Sequence, residues 1–135
     1  MQVVVTYFSM LVFFLIVDAV MIVKVINPIF QENAAEILKA NVNFVAASIF
    51  YIFYVVGIYW FGTLPGIRSD SVWTALLSGA FLGLLAYATY EITNFSTLKG
   101  WTLQMVFLDT AWGGILGGLT AGVGFFVHRF TQSWS

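Results

Sequence analysis

The sequence predicts an all-α membrane protein with four transmembrane helices and a short interfacial helix between the first and the second. Of the 135 residues, 61% are hydrophobic and only 8% are charged, and the mean hydropathy is +0.95. A soluble domain carries about 25% charged residues, so this chain has too few charges to solvate the surface of a soluble or a disordered protein. Four apolar runs of roughly 20 residues, the length that crosses a bilayer, give the number of helices.

The first apolar run covers residues 3–26 and contains one charged residue before its last turns, Asp18. It has no basic leading segment and no small-residue cleavage site, so we expect a retained span rather than a signal peptide. The following link, residues 27–41, has a helix-forming composition and predicts a short helix at the membrane surface. Its apolar side chains, expected to face lipid, are Ile29, Phe30, Ile37 and Leu38.

The other three spans are predicted at residues 42–62, 72–94 and 102–127, so that residues 1–135 form one integral membrane domain. The link between the second and third spans contains Pro65-Gly66 and predicts a plain turn over residues 63–71. The last link is short, which predicts an antiparallel hairpin of spans three and four. A β-barrel is excluded because barrel strands alternate apolar and polar residues, whereas these runs are apolar on every face.

The membrane orientation is left open by the basic residues. Arg68 and Arg129 fall on the side of the termini, and Lys24, Lys39 and Lys99 fall on the opposite side. Two basic residues on one side against three on the other do not decide the orientation under the positive-inside rule.

Glycines at intervals of four residues mark the expected helix contacts. Helices in a bilayer associate through small residues that allow close backbone approach. Spans three and four are therefore expected to pack tightly, with the second row of span four left for self-association, while Val106 is expected to face lipid. The glycines are Gly79 and Gly83 in span three, with Gly114, Gly118 and Gly122 in one row and Gly113 and Gly117 in the adjacent row of span four.

Three carboxylates within the spans, Asp18, Glu91 and Asp109, need an explanation because buried charges are costly and mark functional sites. At 1.5 Å per residue they lie about 12, 5 and 10 Å below the same membrane boundary. This predicts a pocket in one leaflet rather than a pore, with Lys24 or Lys99 as counter-ion and a hydrogen bond from Tyr87, Asn94 or Lys99. In the opposite half, spans two, three and four are expected to contain mainly aliphatic, aromatic and glycine residues.

The candidate pocket residues are Asp18, Asn43, Tyr51, Tyr87, Tyr90, Glu91, Asn94, Lys99, Asp109 and Trp112. The alternative is that these polar groups only hold helices together by hydrogen bonds, which is common in membrane bundles.

Several other kinds of site are not expected. The chain has no cysteine and no basic stripe, which excludes thiol chemistry and argues against nucleic-acid binding. The carboxylates lack the spacing of a metal motif, so no metal site is predicted, and the sequence leaves the cofactor question open. His128, beside Arg129 at the end of the last span, is interpreted as a membrane-interface residue rather than a ligand.

The carboxylates lie in segments that resemble a known family. Residues 87–94 read YATYEITN, residues 98–101 read LKGW and residues 109–113 read DTAWG. Together with FYIFYVVG at residues 50–57 and with Asp18, these segments resemble a family of small predicted bacterial membrane proteins, domain of unknown function 2177. The match extends over nearly the whole chain.

Three positions depart from the family pattern: Glu91 replaces a usual aspartate, Met21 a frequent tryptophan and Thr102 a frequent proline. The resemblance implies a four-span protein of the bacterial inner membrane and implies no established activity.

Three functions remain open from the sequence. The pocket could bind or modify a lipid or a small amphiphile, with the lipid bilayer as the first partner. A structural subunit of a larger membrane complex would need no pocket. A small transporter would need access from both faces, and therefore a dimer formed through the second glycine row.

Overall fold

The protein is a bundle of four long helices in a computed structural model that describes residues 1–26, 28–29 and 44–134. Helix α1 covers Gln2–Met21 and continues through a π-helical turn, Ile22–Ile26. Helix α2 covers Phe44–Ile58 and continues through a second π-helical turn, Tyr59–Thr63, and a last α-helical segment, Leu64–Ser69. Helices α3 and α4 cover Val72–Thr97 and Leu103–Phe130, and a 3-10 turn follows at Gln132–Trp134.

All four helices are long and apolar enough to cross a membrane. The expectation of an all-α protein with four transmembrane helices is therefore confirmed. The predicted interfacial helix lies almost wholly outside the described residues. Ile29, which the sequence placed against lipid, is half-buried against a cluster that contains Trp101 and Met105, so that expectation is wrong.

The predicted turn at residues 63–71 is wrong, because α2 continues as a helix to Ser69. Pro65 has no N–H to donate, and the π-helical turn before it shifts the hydrogen-bond ladder so that proline falls in the first turn of the next segment. The chain reverses at Asp70, which has a left-handed φ of 51°. The Ser71 side chain then accepts a hydrogen bond from the Thr74 N–H and starts α3.

Helices α3 and α4 form the closest contact of the bundle, as predicted from the glycines. A Cβ on Gly83 would collide with the Gly113 carbonyl, and one on Gly79 would lie 2.5 Å from the Gly117 carbonyl oxygen. The backbones therefore pack with no room for a side chain. Gly62 of α2 joins this contact, since its Cβ would lie 3.2 Å from the Gly79 Cα.

The second glycine row is not free for self-association, because both rows of α4 pack against α3. A Cβ on Gly118 would lie 3.0 Å from the Leu76 carbonyl oxygen, and one on Gly114 would lie 2.7 Å from a Leu84 methyl group. Two adjacent rows are needed because α3 lies over the groove between them. The expected lipid exposure of Val106 is also wrong, since it is only 7% exposed beside Met105.

Helix α1 packs on α4 through a stripe of buried residues at intervals of four: Gln2, Thr6, Met10, Phe14 and Asp18. This spacing keeps one face of a helix against its neighbour. The stripe includes the only polar side chains that the described part of α1 buries, and it points the Asp18 carboxyl into the bundle.

Polar side chains are also buried at the end of the bundle near the termini. The Gln2 side chain donates to the His128 carbonyl oxygen at 2.6 Å, and the Thr63 hydroxyl donates to the Ala121 carbonyl oxygen at 2.9 Å. Thr6 and Thr120 are also fully buried. Polar side chains therefore also hold the helices together at this end of the bundle.

Four spans place both termini on the same side of the membrane, and we expect reporters fused to the two ends to give the same signal. An enzymatic reporter active on only one side of the membrane measures this directly. A third reporter inserted after Lys99 should give the opposite signal, because that turn joins α3 to α4 at the other end. Opposite signals from the two termini would contradict the number of spans.

Candidate functional site

A cavity of about 470 Å³ lies between the four helices, at the end where α1 and α3 finish and α2 and α4 begin. This volume is within the range of small-molecule pockets. It brings together residues from all four helices. They are Asp18, Ile22, Ile26, Ala47, Phe50, Tyr51, Ala86, Tyr87, Tyr90 and Asp109.

Asp18 forms the polar part of the cavity wall on α1. It is only 2% exposed, and the Trp112 indole N–H donates to its Oδ1 at 3.0 Å. The Tyr51 hydroxyl lies close to the same carboxyl group. The other oxygen, Oδ2, is buried. Among the described residues, no donor forms a hydrogen bond to it with a well-formed distance and angle. Trp112 thus fixes the carboxyl group and leaves one acceptor available.

Glu91 and Asp109 form a second polar group that joins α3 to α4. The Trp101 indole N–H donates to Oε1 of Glu91 at 2.9 Å, and Glu91 is fully buried. The Asp109 carboxyl group lies within hydrogen-bonding reach of Glu91. Two carboxyl groups can share a hydrogen bond only when one carries a proton. Asp109 faces the cavity, whereas Glu91 lies behind it.

Aromatic rings form the base of the cavity and much of its wall. Phe14 of α1 packs edge-on against Tyr51 and Tyr54 of α2, with ring centroids 5.0 and 5.6 Å apart. Tyr54 lies 6.3 Å from the ring of Tyr87 on α3. These contacts are typical of aromatic packing. They close the cavity toward the middle of the membrane.

The cavity opens between α2 and α3. The π-helical turn of α2 packs closely on α3, but the segment Phe44–Ile58 has little backbone contact with α3. The two helices therefore diverge toward the cavity. Phe50 and Tyr90, one on each side of this gap, are 57% and 54% exposed. In a membrane this exposed surface faces lipid tails.

The structure separates the predicted residues into three groups. Asp18, Tyr51, Tyr87, Tyr90 and Asp109 line the cavity. The second group supports the wall from behind: Glu91 binds Trp101, Trp112 binds Asp18, and Asn94 lies within hydrogen-bonding reach of Tyr90. Lys99 lies outside both groups, and Asn43 is not among the described residues.

The expected lysine counter-ions are wrong. Lys24 and Lys99 are exposed, and among the described residues the ion pair joins Arg129 to Asp70 at 3.2 Å, at the other end of the bundle. The donors are instead the indoles of Trp101 and Trp112, with the Tyr51 hydroxyl also close to Asp18. An indole N–H is buried with its ring, whereas a lysine next to the membrane boundary reaches water at little cost.

Sequence reasoning missed Trp101 as a donor, and also Phe50, Ala47, Ala86, Ile22 and Ile26 in the cavity wall. Trp101 follows a short polar link, where tryptophan is usually an interface residue, so its position gave no sign of a partner. Among the described residues, no three His, Cys, Asp or Glu side chains lie together in an arrangement that could hold a metal ion.

Comparison with known proteins identifies a family. Residues 3–126 match the family described as "Predicted membrane protein (DUF2177)". No curated protein and no solved structure matches the chain. The matched range contains all the residues that line the cavity, and the family description carries no activity.

Proposed function

The chain belongs to the DUF2177 family of predicted membrane proteins, and from that premise we propose that it binds an amphiphile within one leaflet of the membrane. The polar head of the ligand would reach Asp18 and Asp109, and its apolar part would lie in the gap between α2 and α3. The proposed setting is a bacterial inner membrane, which the family resemblance implies.

The observation that carries this proposal is a cavity with a polar wall inside the bundle and a mouth that faces lipid. Asp18 and Asp109 are 2% and 7% exposed, whereas Phe50 and Tyr90 at the mouth are more than half exposed. A ligand that enters from the membrane meets hydrocarbon and aromatic surface first and hydrogen-bond acceptors last. This order matches the two ends of an amphiphile.

The proposal concerns binding rather than a reaction. The cavity wall consists of carboxyl, phenol and hydrocarbon groups, which hold a ligand by hydrogen bonds and packing. Transport through a dimer has less support, because the glycine row that would have joined two copies is covered by α3.

The test is photolabelling in membranes with a long-chain alcohol that carries a diazirine beside its head group. We expect crosslinks at residues 47–51 and 86–90, on the two sides of the mouth. Ala47→Trp fills the cavity and should remove these crosslinks. Ala111→Trp, a matched change at an exposed position of α4, should leave them unchanged.

Two results would contradict the proposal. One is labelling spread evenly over lipid-facing positions such as Phe107. The other is cavity labelling that persists in the Ala47→Trp variant. If, in addition, a single stoichiometric complex is recovered from native membranes, the structural-subunit hypothesis would be supported instead.

A further inference from the structure

We infer that the amphiphile bound in this cavity carries an ammonium group. This inference rests on the proposed function and adds the chemical class of the head group. It is carried by three features of the cavity: a buried carboxylate oxygen that can accept a further donor, the lack of a basic side chain among the described residues of the wall, and a surrounding set of aromatic rings.

The first feature is Oδ2 of Asp18. This atom is buried and accepts no hydrogen bond of ordinary geometry from the described residues, while Oδ1 is held by Trp112 at 3.0 Å. The Tyr51 hydroxyl lies close to this carboxyl group, but each carboxylate oxygen has two lone pairs and can accept a further donor. A buried acceptor whose hydrogen bonds are incomplete is costly, and more so in a membrane than in water. A ligand that donates an N–H to Oδ2 removes this cost and forms a charge-assisted hydrogen bond.

The second feature is the charge of the cavity wall. Among the described residues, the wall contains two carboxyl groups and no Lys, Arg or His. Lys24 and Lys99 are exposed, and Arg68 and Arg129 lie at the other end of the bundle. The described residues therefore provide no internal cation, and a cationic head group would complement the site. A phosphate or sulfate head without an ammonium group would instead be repelled by the carboxyl groups.

The third feature is the aromatic wall. Phe50, Tyr51, Tyr87 and Tyr90 all line the cavity that contains Asp18. An ammonium group near aromatic rings gains from the ring quadrupole, and the gain is larger where water is excluded. An uncharged hydroxyl gains neither this term nor the charge compensation, so the cavity discriminates between an amine and an alcohol of equal length.

The experiment compares dodecylamine with 1-dodecanol, by competition with the photolabel for the purified full chain in one detergent. We expect dodecylamine to compete at about tenfold lower concentration, a ratio that corresponds to one charge-assisted hydrogen bond. Asp18→Asn should bring the ratio close to one. Asp70→Asn changes an exposed aspartate of the other end and should leave it unchanged.

The outcomes distinguish failure of the ammonium head group from failure of amphiphile binding itself. Equal competition by the amine and the alcohol, with cavity labelling intact, overturns the ammonium head group and leaves amphiphile binding standing. No competition by either ligand overturns both. The ratio measured on the unmodified chain is decisive even if the Asp18→Asn variant folds poorly.

A third ligand identifies the source of the ammonium group. A short-chain phosphatidylethanolamine carries the same group beside a phosphate. Competition by this lipid at the concentration of dodecylamine points to a phospholipid head group, and competition by dodecylamine alone points to a free long-chain amine. Both results support the inference, whereas preferential competition by dodecyl sulfate would overturn it.

Discussion

Gly83→Leu is expected to destabilise the protein more than any other single change in the glycine contact, by about 3 kcal/mol or more, the upper range for overpacked cores. At this position even a Cβ would collide with the Gly113 carbonyl, which is backbone and cannot rotate away. Helices α3 and α4 would have to separate along their whole contact. The measurement is the free energy of unfolding in mixed micelles.

Gly57→Leu is the matched control, because a Cβ on Gly57 meets nothing within 4 Å. Leucine is also a better helix former than glycine by roughly 0.8 kcal/mol. This variant should therefore be as stable as the unmodified protein or slightly more stable. Gly118→Leu should lie between the two, since its Cβ would be 3.0 Å from the Leu76 carbonyl oxygen. Equal losses at Gly83 and Gly57 would contradict the contact.

Trp101→Ala is the second change with a large expected effect, a loss of about 3–5 kcal/mol of unfolding free energy, as for other buried tryptophans. The Trp101 ring is 6% exposed and its N–H is bonded to Glu91, which has no exposed surface. The change therefore removes both the packing at the α3–α4 turn and a donor to a buried carboxyl group. Thermal unfolding in detergent measures the loss.

Two further variants separate these contributions. Trp101→Phe keeps most of the ring and removes the N–H, so it should lose about 1–3 kcal/mol, the cost of a buried acceptor left unpaired. Trp73→Ala removes a tryptophan that is 69% exposed and should change stability little. If Trp101→Phe is neutral, the hydrogen bond to Glu91 does not contribute to stability.

The sequence predicts helix number and the α3–α4 contact well because both depend on simple quantities. Span length follows from apolar runs, and close packing follows from glycines at intervals of four, such as Gly79 and Gly83. The extent of α2 was mispredicted because Pro65 usually marks a break. Nothing in the local sequence shows that a π-helical turn will accommodate it.

The candidate site was predicted in part for the same reason. Depth along each helix follows from 1.5 Å per residue, which correctly suggests that Asp18 and Asp109 lie at similar levels. The rotation of each helix decides which side chains face one cavity, and that depends on packing between helices. The buried stripe from Gln2 to Asp18 held that information for α1, because its polar residues, Gln2, Thr6 and Asp18, are separated by multiples of four positions.

Because α2 and α3 diverge, a tilt of α2 about its contact with α3 would change the distance between the two helices at the cavity. The contact is that of Gly62 with Gly79, and Ala47 at the cavity mouth lies about 15 residues, or about 22 Å, further along the α2 axis. A tilt of α2 by about 5° about the Gly62 contact would move Ala47 by about 2 Å, because of the helix length between the two residues. A larger side chain at Gly62 is therefore expected to change the width of the mouth in the other leaflet.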